Sequence, residues 1–393
     1  MDLSFRSSSR TSYWFAIASL SMGWMMIYAD RLSISPLMNL IQHEFNLSFS
    51  AVSLLLSIYF FAYVLFTIPA MLIAERYGYK RTMIVFLLIA AGALALAGLV
   101  GTSFYSLLLL LGVHGLGAGA YYPTAYTISN RIAPASDRGF STAIINSGMG
   151  IGTIAGLGVA GPLLGFLPDW QSILLILSVP TFAIAILLQK SIRIPEKPEA
   201  SFRFGMFPLL LKDRRFLAIC SMMFCSLYGY WVILSWGPSY LQSTRNLGIF
   251  YSGLATAVFA AVAIPSAIVV GRYTDKIGRR KVALIILPLA SLSIFVMALT
   301  NSLLLFVAGI VLYGIVGKLT LDPVAVAWVE DLVRPETVGA ALAMLNVFAM
   351  GSSIVAPVVT GALADLTGTL AYGFYFGGFV VLFGTLFVML GTK

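Results

Sequence analysis

Gly271-Arg272-Tyr273-Thr274-Asp275-Lys276-Ile277-Gly278-Arg279-Arg280-Lys281 is a short charged bridge between two long apolar runs. Moved back by 200 residues, the same window falls on Met71 through Arg81. There Glu75-Arg76-Tyr77-Gly78 stands opposite Asp275-Lys276-Ile277-Gly278, and Lys80-Arg81 opposite Arg280-Lys281. The same offset pairs Pro123 with Pro323, Gly139 with Gly339, Asn146 with Asn346 and Gly161 with Gly361. One offset held over that length marks a duplicated unit. The two copies run in the same direction along the chain, so the repeat is a parallel one.

What is duplicated follows from composition. Of the 393 residues, 60% are hydrophobic and 10% charged, against about 25% charged in a soluble domain. That balance excludes an ordinary soluble enzyme, a disordered chain and a nucleic-acid binder. Twelve helices of about 20 residues need roughly 240 apolar positions, and the chain supplies them. Runs read as spans at 13–36, 51–74, 82–101, 105–130, 140–166 and 171–188, then at 216–241, 251–274, 282–300, 303–328, 338–363 and 371–391. The fold class read from this is an all-α integral membrane protein of twelve transmembrane helices in two six-helix bundles. The bundles are placed at 1–189 and 216–393. Residues 190–215 form a basic, proline-containing linker, with a short interfacial helix expected at 204–211.

The net charge of +9 reports topology rather than a polyanionic partner. With the N-terminus in the cytoplasm, all but three of the 24 Lys and Arg fall on the inner side; Arg31 and Lys318 lie within spans and Arg245 in an outer loop. Basic residues near helix ends stay inside. Both termini are therefore expected in the cytoplasm of a bacterial inner membrane. The run after Arg6 and Arg10 is too long for a signal peptide. Cys220 and Cys225 share one apolar helix and read as packing residues.

Ionisable groups inside a membrane cost about 2.5–3.5 kcal/mol each on insertion scales and are candidates for function by default. There are four, in two pairs. Arg31 shares a helical face with Trp24, Tyr28 and Ser35 at spacings of four, three and four. Its forked guanidinium matches a carboxylate, with the Tyr28 hydroxyl alongside; a structural ion pair or a snorkelling arginine is the other reading. Asp30 points about 100° away. It is either a proton-carrying group, coupled to the charge state of Arg31, or a fixed structural partner for Arg31 or a backbone-capping group. Lys318 and Asp322 are four residues apart and can meet directly. They either neutralise each other or bind an anion and carry a proton. His114 titrates near neutral pH when exposed and is either a proton group or a packed histidine. Tyr63, Tyr59, Asn146, Asn346, Tyr230 and Trp231 complete the polar and aromatic lining, with Tyr228 on the same helix as the last two. Trp236 is read as an interfacial-belt residue. Gly115-x-Gly117-x-Gly119 lies inside a span with no strand before it, so it is not a nucleotide loop. No metal cluster, nucleophile elbow or ATP loop is legible, and no cofactor is expected.

The bridge quoted first resembles the inter-helix signature of the major facilitator superfamily, Gly-x-x-x-Asp-Arg-x-Gly-Arg-Lys. The first-half copy departs from it at Met71 and Glu75. Within that superfamily the chain resembles the anion:cation symporter branch, through Tyr28-Ala29-Asp30-Arg31, the stretch from Gly117 to Pro123, Asp137-Arg138-Gly139 and Asn146-Ser147-Gly148. The resemblance implies a cytoplasmic gate at Glu75, Arg76, Asp275 and Arg279. It further implies Arg31 as the anion anchor of a central cavity and Tyr63 as its helix-2 tyrosine. Many members place a proton-coupling glutamate where this chain has Ala118, and Lys318 is the 200-residue mate of that position. The function implied is secondary transport of a small organic anion by alternating access, with proton symport, in a monomer. The alternative is efflux of hydrophobic compounds by proton antiport, for which 13% aromatic residues and 15 Met are suited.

Overall fold

The computed structural model describes residues 3–134, 137–193, 210–334 and 337–392, with side chains from Tyr13 onward, Asp275 excepted. These residues hold fifteen helices and no strand. They are α1 Leu3–Leu32, α2 Ile34–Glu44, α3 Phe49–Tyr77, α4 Tyr79–Val100, α5 Phe104–Gly119, α6 Tyr121–Ile132, α7 Arg138–Leu164 and α8 Gln171–Ser191. After the linker follow α9 Arg214–Arg245, α10 Ile249–Ile277, α11 Arg279–Leu299, α12 Leu303–Val316, α13 Lys318–Leu332, α14 Val338–Thr367 and α15 Ala371–Gly391. Among the described residues eleven spans are long and apolar enough to cross a bilayer, α5–α6 and α12–α13 each counting as one. With α1–α2 they make twelve. A helix satisfies its backbone amides and carbonyls within the same segment, as the hydrocarbon core of a bilayer demands.

The 200-residue repeat survives in backbone detail. Asn46 and Asn246 both end a helix at φ 51°, in the left-handed conformation that asparagine tolerates at such ends. Gly78 and Gly278 sit between consecutive helices at φ 97° and 95°. With ψ near 137° at both, this is a region essentially restricted to glycine. The charged bridge therefore turns on one glycine in each half.

The first span differs from its reading at 13–36. It breaks at Ser33 and resumes as α2, which runs on to Glu44. Pro36 has no N–H to give to the Leu32 carbonyl, so the ladder cannot continue unbroken. The Ser33 hydroxyl donates to the Asp30 carbonyl at 2.8 Å instead. Arg245, read as an outer-loop residue, is the last residue of α9, and its guanidinium donates to the Thr300 carbonyl. The expected interfacial helix at 204–211 lies outside the described residues except for Leu210 and Leu211.

By internal contact the chain forms two compact units: Met1–Ile34 with Ile58–Ala200, and Ser35–Ser57 with Ser201–Lys393. In the first, α7 packs along α1 through glycines. A Cβ on Gly148 or Gly152 would collide with the Ser21 or Met25 carbonyl, and one on Gly156 would lie 2.6 Å from the Ala29 carbonyl. In the second, Asp365 of α14 caps the start of α3, accepting from the Phe49 and Ser50 amides at 2.7 and 2.9 Å. A carboxylate at a helix N-terminus meets both the open amides and the dipole. Gln242 of α9 donates to the Pro36 carbonyl at 3.0 Å and accepts from Asn39 at 3.0 Å. Cys220 and Cys225 are buried free thiols.

Gly278 has no atom within 4 Å of a built Cβ, so its only constraint is backbone conformation. Gly278→Ala is expected to lower stability by about 1–3 kcal/mol, read as a lower Tm in detergent. Gly339→Ala, which also meets nothing within 4 Å but lies in the helix α14, is expected to leave Tm unchanged or raise it slightly.

Candidate functional site

The charged end of α1 is held in a shell of aromatic rings. Arg31 is 1% exposed. Its guanidinium carbon lies 3.5 Å from the centre of the Tyr28 ring, 5.3 Å from Phe60 and 6.0 Å from Tyr59. An aromatic face offsets part of the cost of removing a cation from water. The spacing of three between Tyr28 and Arg31 sets one ring beneath the guanidinium, and α3 supplies the others. Tyr59 stacks at 6.3 Å on Tyr63 and packs at 5.2 Å on His114 of α5. His114 is fully buried, with Nδ1 3.0 Å from the Ala90 carbonyl. Three sequence-derived candidates, Arg31, Tyr28 and Tyr63, thus gather around Tyr59, with His114 behind it.

A second aromatic layer extends from Tyr28. Trp24 meets it edge-on at 5.0 Å and stacks at 5.8 Å on Tyr121 of α6. Tyr122 lies 5.7 Å from Trp24 and 4.7 Å from Tyr126, whose hydroxyl donates to Asn146 of α7. Asn146 therefore joins the cluster through a tyrosine rather than through Arg31. Sequence reasoning missed the run Tyr121-Tyr122-Pro123-Thr124-Ala125-Tyr126. Three tyrosines in six residues directly after a glycine-rich span were the available signal.

Asp30 faces elsewhere. It is completely buried, and Oδ2 accepts from the Thr181 hydroxyl of α8 at 2.8 Å. Oδ1 has no hydrogen-bond partner among the described residues. The turn of about 100° between adjacent helix positions carries the carboxylate to α8 and the guanidinium to α3. The hydrogen-bond partner of Oδ2 is thus Thr181 of α8. Ser35, placed on the Arg31 face by spacing, lies beyond the break at Ser33 and belongs to the other unit.

In the second unit the tenth span breaks at Gly317. A Cβ there would collide with the Tyr313 carbonyl and ring, so glycine is required. Lys318 opens α13 and pairs with Asp322 one turn on. A lysine in a first turn opposes the helix dipole, and a carboxylate four residues later compensates. The Lys318 ammonium also lies 5.6 Å from the centre of the Tyr230 ring, which meets Trp231 edge-on at 5.2 Å. Lys318, Asp322, Tyr230 and Trp231 are thus brought together, while Asn346 is a half-buried residue of α14. Trp236 is no belt residue: it is fully buried, and its indole donates to the Pro357 carbonyl at 3.0 Å.

Of the four gate residues, Glu75 is half-buried and Arg76 exposed near the end of α3. The Arg76 guanidinium lies 5.4 Å from the Tyr77 ring. Arg279 bonds Asp331 at 3.3 Å across a cavity of about 470 Å³ that Arg280 and Lys281 also line. The Asp275 side chain lies outside the described residues.

The Major Facilitator Superfamily model matches residues 13–276 and 219–392. The hexuronate transporter of Bacillus subtilis (strain 168) is 24% identical, covering 95% of this chain and 93% of its own. The probable galactarate/D-glucarate transporter GudP of the same organism is 24% identical, covering 91% and 86%. The probable sulfoacetate transporter SauU of Cupriavidus necator is 26% identical, covering 92% and 90%. Among solved structures, a point mutant of the nucleoside transporter NupG superposes with a TM-score of 0.79 at 17% identity, covering 96% of this chain and 99% of that one.

The glycine line of α7 sets how closely α1, and so Arg31, is held. Gly152→Leu is expected to cost about 1–3 kcal/mol through overpacking and to displace Tyr28, whose Cβ a Cβ on Gly152 would meet at 2.8 Å. Gly158→Ala, which meets nothing within 4 Å, is expected to be neutral. Thermal unfolding in detergent and tryptophan fluorescence of the two variants check this.

Proposed function

The chain belongs to the Major Facilitator Superfamily, and from that premise we propose that it is a proton-coupled symporter of small organic anions, of the carboxylate or sugar-acid class. It is a multi-pass membrane transporter and not an enzyme. The single observation that carries the anion reading is a guanidinium buried at the end of α1 and ringed by Tyr28, Tyr59 and Phe60. Aromatic faces leave the plane of such a fork suited to two parallel N–H bonds to a carboxylate. Relatives that cover most of the chain carry names of hexuronate, galactarate/D-glucarate and sulfoacetate transporters, all organic anions. That agreement supports the anion over a lipophilic cargo.

In this reading Arg31 is the anchor, with Tyr28 and Tyr63 beside the bound anion and Asn146 at the edge of the aromatic layer. Asp30 takes up the transported proton. An anion at Arg31 adds negative charge beside Asp30 and so favours its protonation, and binding of cargo and of proton then assist each other. His114 lies within the same electrostatic neighbourhood and is the secondary proton candidate. Lys318 is a second cationic candidate within its own unit, with the Tyr230 ring 5.6 Å away and Trp231 beside that ring; Asn346 is a further candidate on α14, and Asp322 takes a proton when an anion draws Lys318 away. The proposed bundles are 1–189 and 216–393, and Glu75, Arg76, Asp275 and Arg279 are the proposed residues of the cytoplasmic gate. The protein works as a monomer in a bacterial inner membrane with both termini inside.

Arg31→Lys keeps the charge and loses the fork. At about 1.5–3 kcal/mol for hydrogen bonds to a charged group, it is expected to reduce uptake of galacturonate and glucarate into proteoliposomes by about 10- to 100-fold. Arg31→Ala is expected to abolish uptake. Full uptake by either variant, or wild-type flux of lipophilic cations alone, overturns the anion reading. Lys318→Ala leaves Asp322 unpaired, so the informative variant is Lys318→Ala with Asp322→Ala. Uptake that stays impaired in that double variant supports a transport role for Lys318, and restored uptake makes the pair structural.

A further inference from the structure

We propose that Thr181 is a positioning residue for the transported proton, its hydroxyl switching between two acceptors so that Asp30 is satisfied both with and without a proton. The inference rests on Asp30 being the proton-carrying group of the proposed symporter, and it adds a residue that neither the sequence pattern nor the relatives single out.

Three observations meet at this hydroxyl. Thr181 Oγ1 lies 2.8 Å from Asp30 Oδ2 and 3.3 Å from the Leu177 carbonyl of its own helix. Both side chains are 0% exposed, so no bulk water completes their bonding. Oδ1 of Asp30 has no hydrogen-bond partner among the described residues, and the Asp30 carbonyl is already occupied by Ser33. Thr181 is therefore the one side-chain donor on the carboxylate among the described residues.

A hydroxyl carries one proton and two lone pairs. When Asp30 is ionised, Thr181 donates to Oδ2, and a charge-assisted bond of that kind is the stronger one. When Asp30 takes up a proton on Oδ2, the new carboxylic O–H donates to Thr181 Oγ1. The threonine proton then rotates to the Leu177 carbonyl, the usual back-bond of a helical threonine. The Thr181 hydroxyl and Oδ2 keep a partner in either state, and the exchange needs only rotation of the hydroxyl. Valine has the same shape and can do neither.

Other titratable and charged groups stand on α1 and on the helices around it. Arg31 and Tyr28 belong to α1 itself, and Tyr59 of α3 lies within electrostatic reach of Asp30. His114 of α5 stands behind Tyr59. From α6 come Tyr121, Tyr122 and Tyr126, with Arg131 near its end. The helices packed most closely on α1 add only Arg138, the first residue of α7, and Lys190, the second-last of α8. The Thr181 hydroxyl is thus the local control on the carboxylate.

The test uses the full-length protein reconstituted in liposomes, as wild type, Asp30→Asn, Thr181→Val and Thr181→Ser. Infrared difference spectra over a pH titration follow the C=O band of protonated carboxyl groups, and galacturonate uptake gives a pH profile beside it. Asp30→Asn is expected to remove the titrating band and flatten the pH dependence of uptake; if it does neither, the proton role of Asp30 is lost, whatever Thr181 does. With the band assigned to Asp30 in this way, Thr181→Val is expected to retain it and shift it to the higher frequency of a carboxyl freed from its partner. The titration midpoint is expected to move upward by about one pH unit. Thr181→Ser is expected to restore the wild-type band and midpoint. A valine variant with wild-type band and midpoint overturns the inference, as does a serine variant displaced as far as valine, which would mark a steric role. If Thr181→Val does not fold, Thr181→Ala carries the same comparison.

Discussion

A guanidinium removed from water sets the terms for the rest of the first unit. Placing one inside a membrane costs about 2.5–3.5 kcal/mol even on the most lenient scale, and Arg31 is 1% exposed. The surroundings are arranged to offset that cost. Tyr28 lies beneath the group at 3.5 Å, while Phe60 and Tyr59 approach from α3. Aromatic faces attract a cation without cancelling its charge, whereas a buried carboxylate would cancel it. The neighbouring helix approaches through glycines that leave no room for side chains along α1, which holds Tyr28 and Arg31 in a fixed relation.

The separation of Asp30 from Arg31 follows from helical geometry alone. Adjacent residues of a helix diverge by about 100°, so two neighbouring charges of opposite sign reach different helices. The carboxylate goes to Thr181 of α8 and the guanidinium to the rings of α3. In the second unit the arrangement is the reverse. Lys318 and Asp322, one turn apart, pair directly at a helix start. Spacing of one or of four thus decides whether a pair of intramembrane charges acts as two groups or as one.

Much of this was legible in the sequence. The spans, the repeat and the family resemblance are properties of long stretches, and an offset of 200 residues returns even the left-handed Asn46 and Asn246 and the positive-φ Gly78 and Gly278. Arg31 and Tyr28 were candidates because a charge in an apolar run and a periodic face are visible in one dimension, and Tyr63 because the family resemblance implies a tyrosine there. What was not legible depends on neighbours distant in sequence. Thr181 is an ordinary residue of an apolar helix until it meets a carboxylate 151 positions away. Trp236 looked like a belt residue from its place near a helix end, and only packing reveals that its indole is spent on the Pro357 carbonyl. The break at Ser33 was readable in principle from Pro36, but prolines are tolerated inside other helices of this chain, such as Pro69 and Pro180, so the residue type alone does not decide.

On the proposed reading, charge balance supplies a reason for coupling that needs no wire between the sites. With nothing bound and Asp30 ionised, the charges on Arg31 and Asp30 sum to zero. With a monoanion on Arg31 and a proton on Asp30, the sum is again zero. A proton alone leaves one positive charge, and an anion alone leaves one negative charge. Unbalanced charge is costly where the dielectric constant is low. The empty and the fully loaded forms are then the two that can change conformation cheaply, and the half-loaded forms are held back. Tight coupling would follow from two charges on one helix that are neighbours in sequence and strangers in contact.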